Sequence, residues 1–103
     1  MLEVLLEKRD RIVAACVRHN VSRLDVFGSA LRDDFRPGES DIDFLVEFAP
    51  MDPYARVDAY FDLLDDLRGL FGDAIDLVMA GAVKNRTIAA EIDRTRKILY
   101  AAA

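Results

Sequence analysis

The stretch GSALRDDFRPGESDIDFLVEF, Gly28 to Phe48, decides how this chain is read. From Asp41 onward its residues alternate. Asp41, Asp43, Leu45 and Glu47 fall on one side of a strand, and Ile42, Phe44, Val46 and Phe48 on the other, because strand side chains point to opposite faces with period two. The second set is continuously apolar and rich in aromatic and branched residues, so it faces the core. Asp41 and Asp43 are left together on the opposite face, about 7 Å apart along the backbone. Two carboxylates that close repel unless a cation lies between them. Hard oxygen ligands of this kind suit Mg²⁺, which is commonly held by one or two carboxylates plus substrate phosphates. An isolated D-x-D is common, and by itself a solvated strand face is the better reading.

Upstream, Val26-Phe27 ends a strand-like run and Gly28-Ser29 follows. Glycine permits a turn that brings backbone close to a ligand. Ser29 is placed to cap a short helix, whose first N–H groups favour an anion. Alone, Gly28-Ser29 is an ordinary turn and cap. Followed by Asp41 and Asp43, it becomes a phosphate cradle leading into a metal-binding pair.

G-S, a short spacer and S-D-I-D-F-L-V together resemble the signature of the nucleotidyltransferase superfamily that includes polymerase beta and the aminoglycoside nucleotidyltransferases. The short length makes the chain most similar to the minimal nucleotidyltransferases, antitoxins of HEPT/MNT toxin–antitoxin pairs. The resemblance covers most of the chain, and its specific part is Gly28 to Val46 plus one later Asp. It implies Gly28, Ser29, Arg32 and Ser40 as nucleotide-binding residues, Arg32 matching a frequent Arg of the family.

Working outward, 103 residues suit one domain, residues 1–103. Hydrophobic residues make up 52% and charged residues 32%, a globular balance. A net charge of −5 argues against nonspecific duplex binding, which needs a basic patch, so no direct nucleic-acid contact is expected. It also means that a polyanionic nucleotide needs a metal to enter an acidic site. One Cys excludes an internal disulfide and suits a reducing cytoplasm. No apolar run reaches membrane-spanning length, and Glu3 and Glu7 among the first leucines are unlike a signal peptide.

The residues before Gly28 predict a helix from Leu2 to about Arg18, with Leu2, Leu5, Leu6, Ile12, Val13, Cys16 and Val17 near helical spacing. Cys16 reads as a small buried hydrophobe. His19 and Asn20 end this helix, Asn20 tolerating the left-handed conformation. Val21 to Phe27 is a strand with Leu24 and Val26 inward, and Ser29 to Phe35 a short helix carrying a solvated Asp33 and Asp34. A Pro37-Gly38 turn leads into the Asp-Ile-Asp strand.

After it, Asp52-Pro53 is a strong helix start. Val57, Tyr60, Phe61, Leu64, Leu67 and Phe71 form its apolar stripe, Asp58, Asp62, Asp65 and Asp66 its wet face, and Gly72 its stop. Ala74 to Met79 is a third strand, with Ile75, Leu77 and Met79 on one side and Asp76 on the other. A lone Asp there is costly to bury unless paired or metal-bound, yet it is also readable as a solvated strand-end residue. The superfamily pattern places a third carboxylate on such a strand, and this resemblance assigns Asp76. Asn85 to about Arg96 is a last helix with Ile88 and Ile92 inward, and relatives suggest a short strand over Lys97 to Tyr100.

Helices and strands thus alternate, which favours a layered α/β (α+β) arrangement. The resemblance implies the nucleotidyltransferase fold, a small mixed sheet with helices packed mainly on one face and the carboxylates on the other. It further implies Asp41, Asp43 and Asp76 as catalytic, metal-binding residues holding two Mg²⁺ ions, with ATP as the substrate. AMP would pass to an acceptor, and no acceptor pocket is evident in so short a chain. A protein hydroxyl is therefore favoured, by resemblance a tyrosine of a cognate HEPT-domain toxin that modification would neutralise. Two other classes stay open: an antitoxin that only binds its toxin, and an aminoglycoside-like enzyme working as an oligomer.

Overall fold

The computed structural model describes residues 2–32, 35–36 and 39–103; Asp33, Asp34, Pro37 and Gly38, read above as solvated acids and a turn, lie outside them. Two strands form its centre. β1 (Val21–Phe27) and β2 (Ile42–Phe48) run antiparallel, with Leu24 opposite Val46 and Val26 opposite Phe44. β3 (Ile75–Met79) lies parallel to β2, and β4 (Lys97–Ala101) antiparallel to β1. The resulting mixed sheet has the order β3-β2-β1-β4.

Alternation along the strands decides which face is buried. Leu24, Val26, Ile42, Phe44, Val46, Ile75 and Leu77 meet three helices on one side: α1 (Leu2–Glu7), α2 (Arg9–Arg18) and α3 (Pro53–Phe71). α3 is the crossover that joins the parallel pair β2 and β3, a connection that needs a dozen or more residues. Its start is cut by Asp52, whose carboxylate accepts the Ala55 N–H at 3.1 Å, with Pro53 following. It ends at Gly72, whose φ of 85° lies in the left-handed region. Asn20, with φ 57°, ends α2 in the conformation expected of it.

α4 (Arg86–Thr95) sits on the opposite face of the sheet, its N-terminus capped by the Asn85 side chain. Its Ile92 is buried outside the main core and lines a small cavity with Leu45 of β2. The face expected to be open is therefore partly roofed, and Leu45 is buried beneath that roof.

Some expectations are corrected by the packing. The first helix is broken at Lys8 into α1 and α2, although Lys8 N–H still reaches Val4 O and Ile12 N–H reaches Lys8 O. Leu2, Leu6 and Val17 are exposed, because the buried face centres on Leu5, Ile12 and Cys16, and they lie about 60–120° round the helix from it. In α3 the buried side chains are Leu63, Leu64 and Leu67, while Val57 and Phe61 are 54% and 57% exposed. Leu63 shifts the buried centre away from both by roughly a residue's turn. Tyr60 stays half-buried and donates to Leu77 O at 2.6 Å. Ile88, expected inward, is exposed on α4. Asp66 is not simply wet: it pairs with Arg18 at 2.9 Å and with His19 Nε2 at 2.7 Å, joining α3 to the end of α2.

Cys16 is fully buried, as expected, and burial pushes its thiol up from 9.0 to about 12. Two results follow. The native protein resists thiol alkylation at pH 8 and reacts only once denatured. The unfolded thiol ionises first, so the Cys16 contribution to stability is constant below pH 9 and is lost as pH rises from 9 toward 12. Rapid labelling of folded protein would contradict both. Among the described residues no helix is long and apolar enough to cross a membrane.

Candidate active site

β1 ends at Phe27, and the chain turns through Gly28 with φ 71° into a 3₁₀ turn, Gly28–Leu31. This replaces the expected helix from Ser29 to Phe35: Arg32 is already extended, and Ser29 lies inside the turn instead of capping it. The Ser29 hydroxyl donates to Asp41 O at 3.0 Å, tying the turn to the start of β2. Gly28 faces Asp43 so closely that a Cβ on it would stand 2.8 Å from Asp43 Oδ2. Gly28→Ala therefore meets both a steric clash and a positive φ. A loss of roughly 1–3 kcal/mol in stability is expected, read by chemical denaturation.

Parallel pairing sets Asp43 of β2 beside Asp76 of β3. Neighbouring strands are about 4.8 Å apart, so both carboxylates leave the same face side by side. Asp43 is half-buried, whereas Asp76 and Asp41 are exposed. Burial pushes the Asp43 carboxyl above its ordinary value, and the charges of Asp76 and then Asp41 push it further. The Ser29 N–H and the Arg32 guanidinium act the other way. Two acids thus bear on Asp43 at the mouth of the turn.

This donor chemistry fits a divalent cation. Mg²⁺ is commonly bound by one or two carboxylates plus phosphate oxygens and waters, and Asp43 with Asp76 supplies such an incomplete shell. Among the described residues no three His, Cys, Asp or Glu side chains converge as a finished ion site.

A cleft of about 420 Å³ opens beside these acids, lined by Phe27, Gly28, Ser29, Arg32 and Asp43 from the turn and β2, and by Thr87, Ile88, Glu91 and Ile92 of α4. Four of the residues singled out in the sequence thus line one cleft. Asp76 adjoins it through Asp43, and Asp41 through its bond with Ser29. Ser40 stands apart, its N–H donating to Arg36 O and its hydroxyl accepting the Arg36 N–H. Helix α4 was absent from the sequence-level site. Its Ile88 and Ile92, four residues apart, read in the sequence as inward core positions, so no local signal placed α4 at the cleft.

α4 is held by a second feature. Asp25 of β1 is completely buried on the cleft side of the sheet. Arg23 Nε donates to Asp25 Oδ1 at 3.0 Å, and Arg96, the residue following α4, donates to Oδ2. Thr95 Oγ1 accepts the Gly28 N–H at 3.4 Å, so the glycine turn touches α4 directly.

The family described as "Nucleotidyltransferase domain" matches residues 9–100, spanning the turn, both carboxylate strands and α4. The chain belongs to this nucleotidyltransferase family. A relative from Methanocaldococcus jannaschii, named "Putative protein adenylyltransferase", is 36% identical over 89 residues, 86% of this chain and 85% of that protein. A solved structure described as a "putative minimal nucleotidyltransferase" is 28% identical, with a TM-score of 0.66 and 93% of each chain covered. A chain of the complex between a tri-AMPylated Shewanella oneidensis HEPN toxin and MNT antitoxin aligns with a TM-score of 0.57 at 20% identity, covering 95% of this chain and 73% of that one. At that identity the last likeness shows the fold. The mixed sheet of this nucleotidyltransferase domain is the one its sequence implied.

Proposed function

We propose that residues 1–103 form a single minimal nucleotidyltransferase domain that transfers AMP from ATP to a hydroxyl of a partner protein and thereby acts as an antitoxin. The observation that carries this reading is the pairing of Asp43 with Asp76 against the Gly28 turn, beside a cleft of about 420 Å³. The protein acceptor is supported by the 36% identical relative, whose name is that of a protein adenylyltransferase. The toxin partner follows the AMPylated toxin of the complex that shares the fold, and a tyrosine as its acceptor is what the family resemblance implies. The single buried thiol suits a reducing cytoplasm.

Asp43, Asp76 and Asp41 would hold Mg²⁺, two ions in this reading, whose role is to neutralise the triphosphate and ease ionisation of the acceptor hydroxyl. The chain supplies the rest. Arg32 stands at the cleft to balance phosphate charge, and Ser29 fixes the turn to Asp41 while its N–H orients Asp43. α4 forms one wall of the cleft, where Ile88 and Ile92 stand with Phe27 as an apolar side. The acceptor hydroxyl gives its proton to Asp76 or to water, its oxygen bonds to the α-phosphorus, the bond from that phosphorus to the bridging α–β oxygen breaks, and pyrophosphate leaves.

The test is intact-mass spectrometry of the protein encoded beside this chain, after incubation with the chain, Mg²⁺ and ATP. Mass increments of AMP, absent with Asp43→Asn, support the proposal and identify the acceptor. A tight complex with no increment replaces it with a purely binding antitoxin.

A further inference from the structure

On α3 three large apolar side chains face solvent at helical spacing: Tyr54, 84% exposed, with Val57 and Phe61. They stand on one side of the helix two turns long. Between them and β3 lies an apolar groove of about 290 Å³, lined by Pro53, Arg56, Val57, Tyr60, Phe61 and Met79. On the other flank of the stripe are Asp58, Asp62 and Asp65, all exposed and in no ion pair among the described residues. Asp58 and Asp62 also border a wide cleft of about 520 Å³, between α3 and the chain around Ala49 to Met51. Large aromatic side chains left in water at this density mark an interaction surface more often than a bare exterior.

The charges select the occupant. In an antiparallel two-fold pairing of α3 with a second copy, the acidic flank of one helix lies along the acidic flank of the other. Asp58, Asp62 and Asp65 of one copy would then meet those of the other, and like charges across an interface are costly. A helix with an apolar face and a basic edge meets no such conflict: its apolar side fills the groove, and Lys or Arg side chains reach the unpaired acids. We infer that the Tyr54–Val57–Phe61 face of α3 docks a basic amphipathic helix of the protein partner. This rests on the proposed function only in taking the partner to be a protein; the docking does not need the chemistry.

The probe is the protein encoded beside this chain, titrated calorimetrically with the full chain at low and high salt. The wild-type chain alone is expected to sediment as a monomer and to bind. Replacing all three of Tyr54, Val57 and Phe61 with Ser is expected to weaken binding on the order of 100-fold. These side chains are exposed, so the variant should keep its circular dichroism and its affinity for ATP. Replacing Asp58, Asp62 and Asp65 with Asn is expected to slow association on the order of 10-fold at low salt and to flatten its salt dependence. Asp43→Asn should bind like the wild type while failing to transfer AMP, which separates this inference from the catalytic one. Unchanged affinity of the folded Ser variant overturns the inference. So does the lack of any complex with the wild type, or a wild-type dimer that the Ser variant dissolves.

Discussion

Asp43→Asn is expected to reduce AMP transfer by about 10³-fold or more while leaving the protein folded. Losing a charged cation ligand removes several kcal/mol of transition-state stabilisation, and each 1.36 kcal/mol is tenfold in rate. The structural side has the opposite sign. Burial and the charges of Asp76 and Asp41 already oppose ionisation of Asp43. Removing its charge therefore relieves the folded protein at neutral pH, and the melting temperature should hold or rise. An Asn side chain is nearly isosteric and can still accept the Ser29 N–H. Transfer rates by intact mass, measured beside a thermal melt, check both halves. Wild-type transfer by a well-folded variant would sink the assignment, whereas an unfolded variant would contradict the electrostatic argument.

The largest effect on stability is expected from Arg96→Ala, on the order of 3 kcal/mol by chemical denaturation. Asp25 is fully buried, and Arg96 supplies one of its two cationic partners among the described residues. Without Arg96, a buried carboxylate keeps only Arg23. The reverse change is milder. In Asp25→Leu no buried charge is left behind, and both arginines, already partly exposed, can turn to water. The pair of variants thus discriminates: Arg96→Ala should be clearly the more destabilising. Equal losses would mean that the ion pair acts only through packing. Because Arg96 follows directly on α4, its loss should also loosen the cleft wall and raise the ATP concentration needed for half-maximal transfer.

β2 and β3 were legible because each carries a period of two, whereas the last strand was suggested by relatives. Val21–Phe27 is where it was expected, its inward Leu24 and Val26 two residues apart, and β2 starts one residue after Asp41. Asp52-Pro53, Gly72 and Asn20 acted through local backbone chemistry, which needs no tertiary information. Residues whose fate depends on a distant partner were harder. Asp25 sits on the face opposite Leu24 and Val26, and nothing local says that Arg96, 71 residues away, will neutralise it. The stripe in α3 failed for a related reason. Val57 and Phe61 share helical spacing with the buried leucines, and only the placement of the sheet decides which side of the helix turns inward. α4 joined the cleft through a crossing to the other face of the sheet, which spacing alone does not encode.

The parallel pairing of β2 and β3 bears on how such a chain can change over time. No tight hairpin fixes the height of Asp76 against Asp43; the 19 residues of α3 do, by the way Leu63, Leu64 and Leu67 seat on the sheet. One residue gained or lost within that helix would rotate everything after it by about 100° and pull β3 out of step, parting the acids from a distance. Lineages of this domain should therefore tolerate length variation between β3 and α4, at residues 80–85, and almost none inside α3, although α3 contributes no side chain to the cleft.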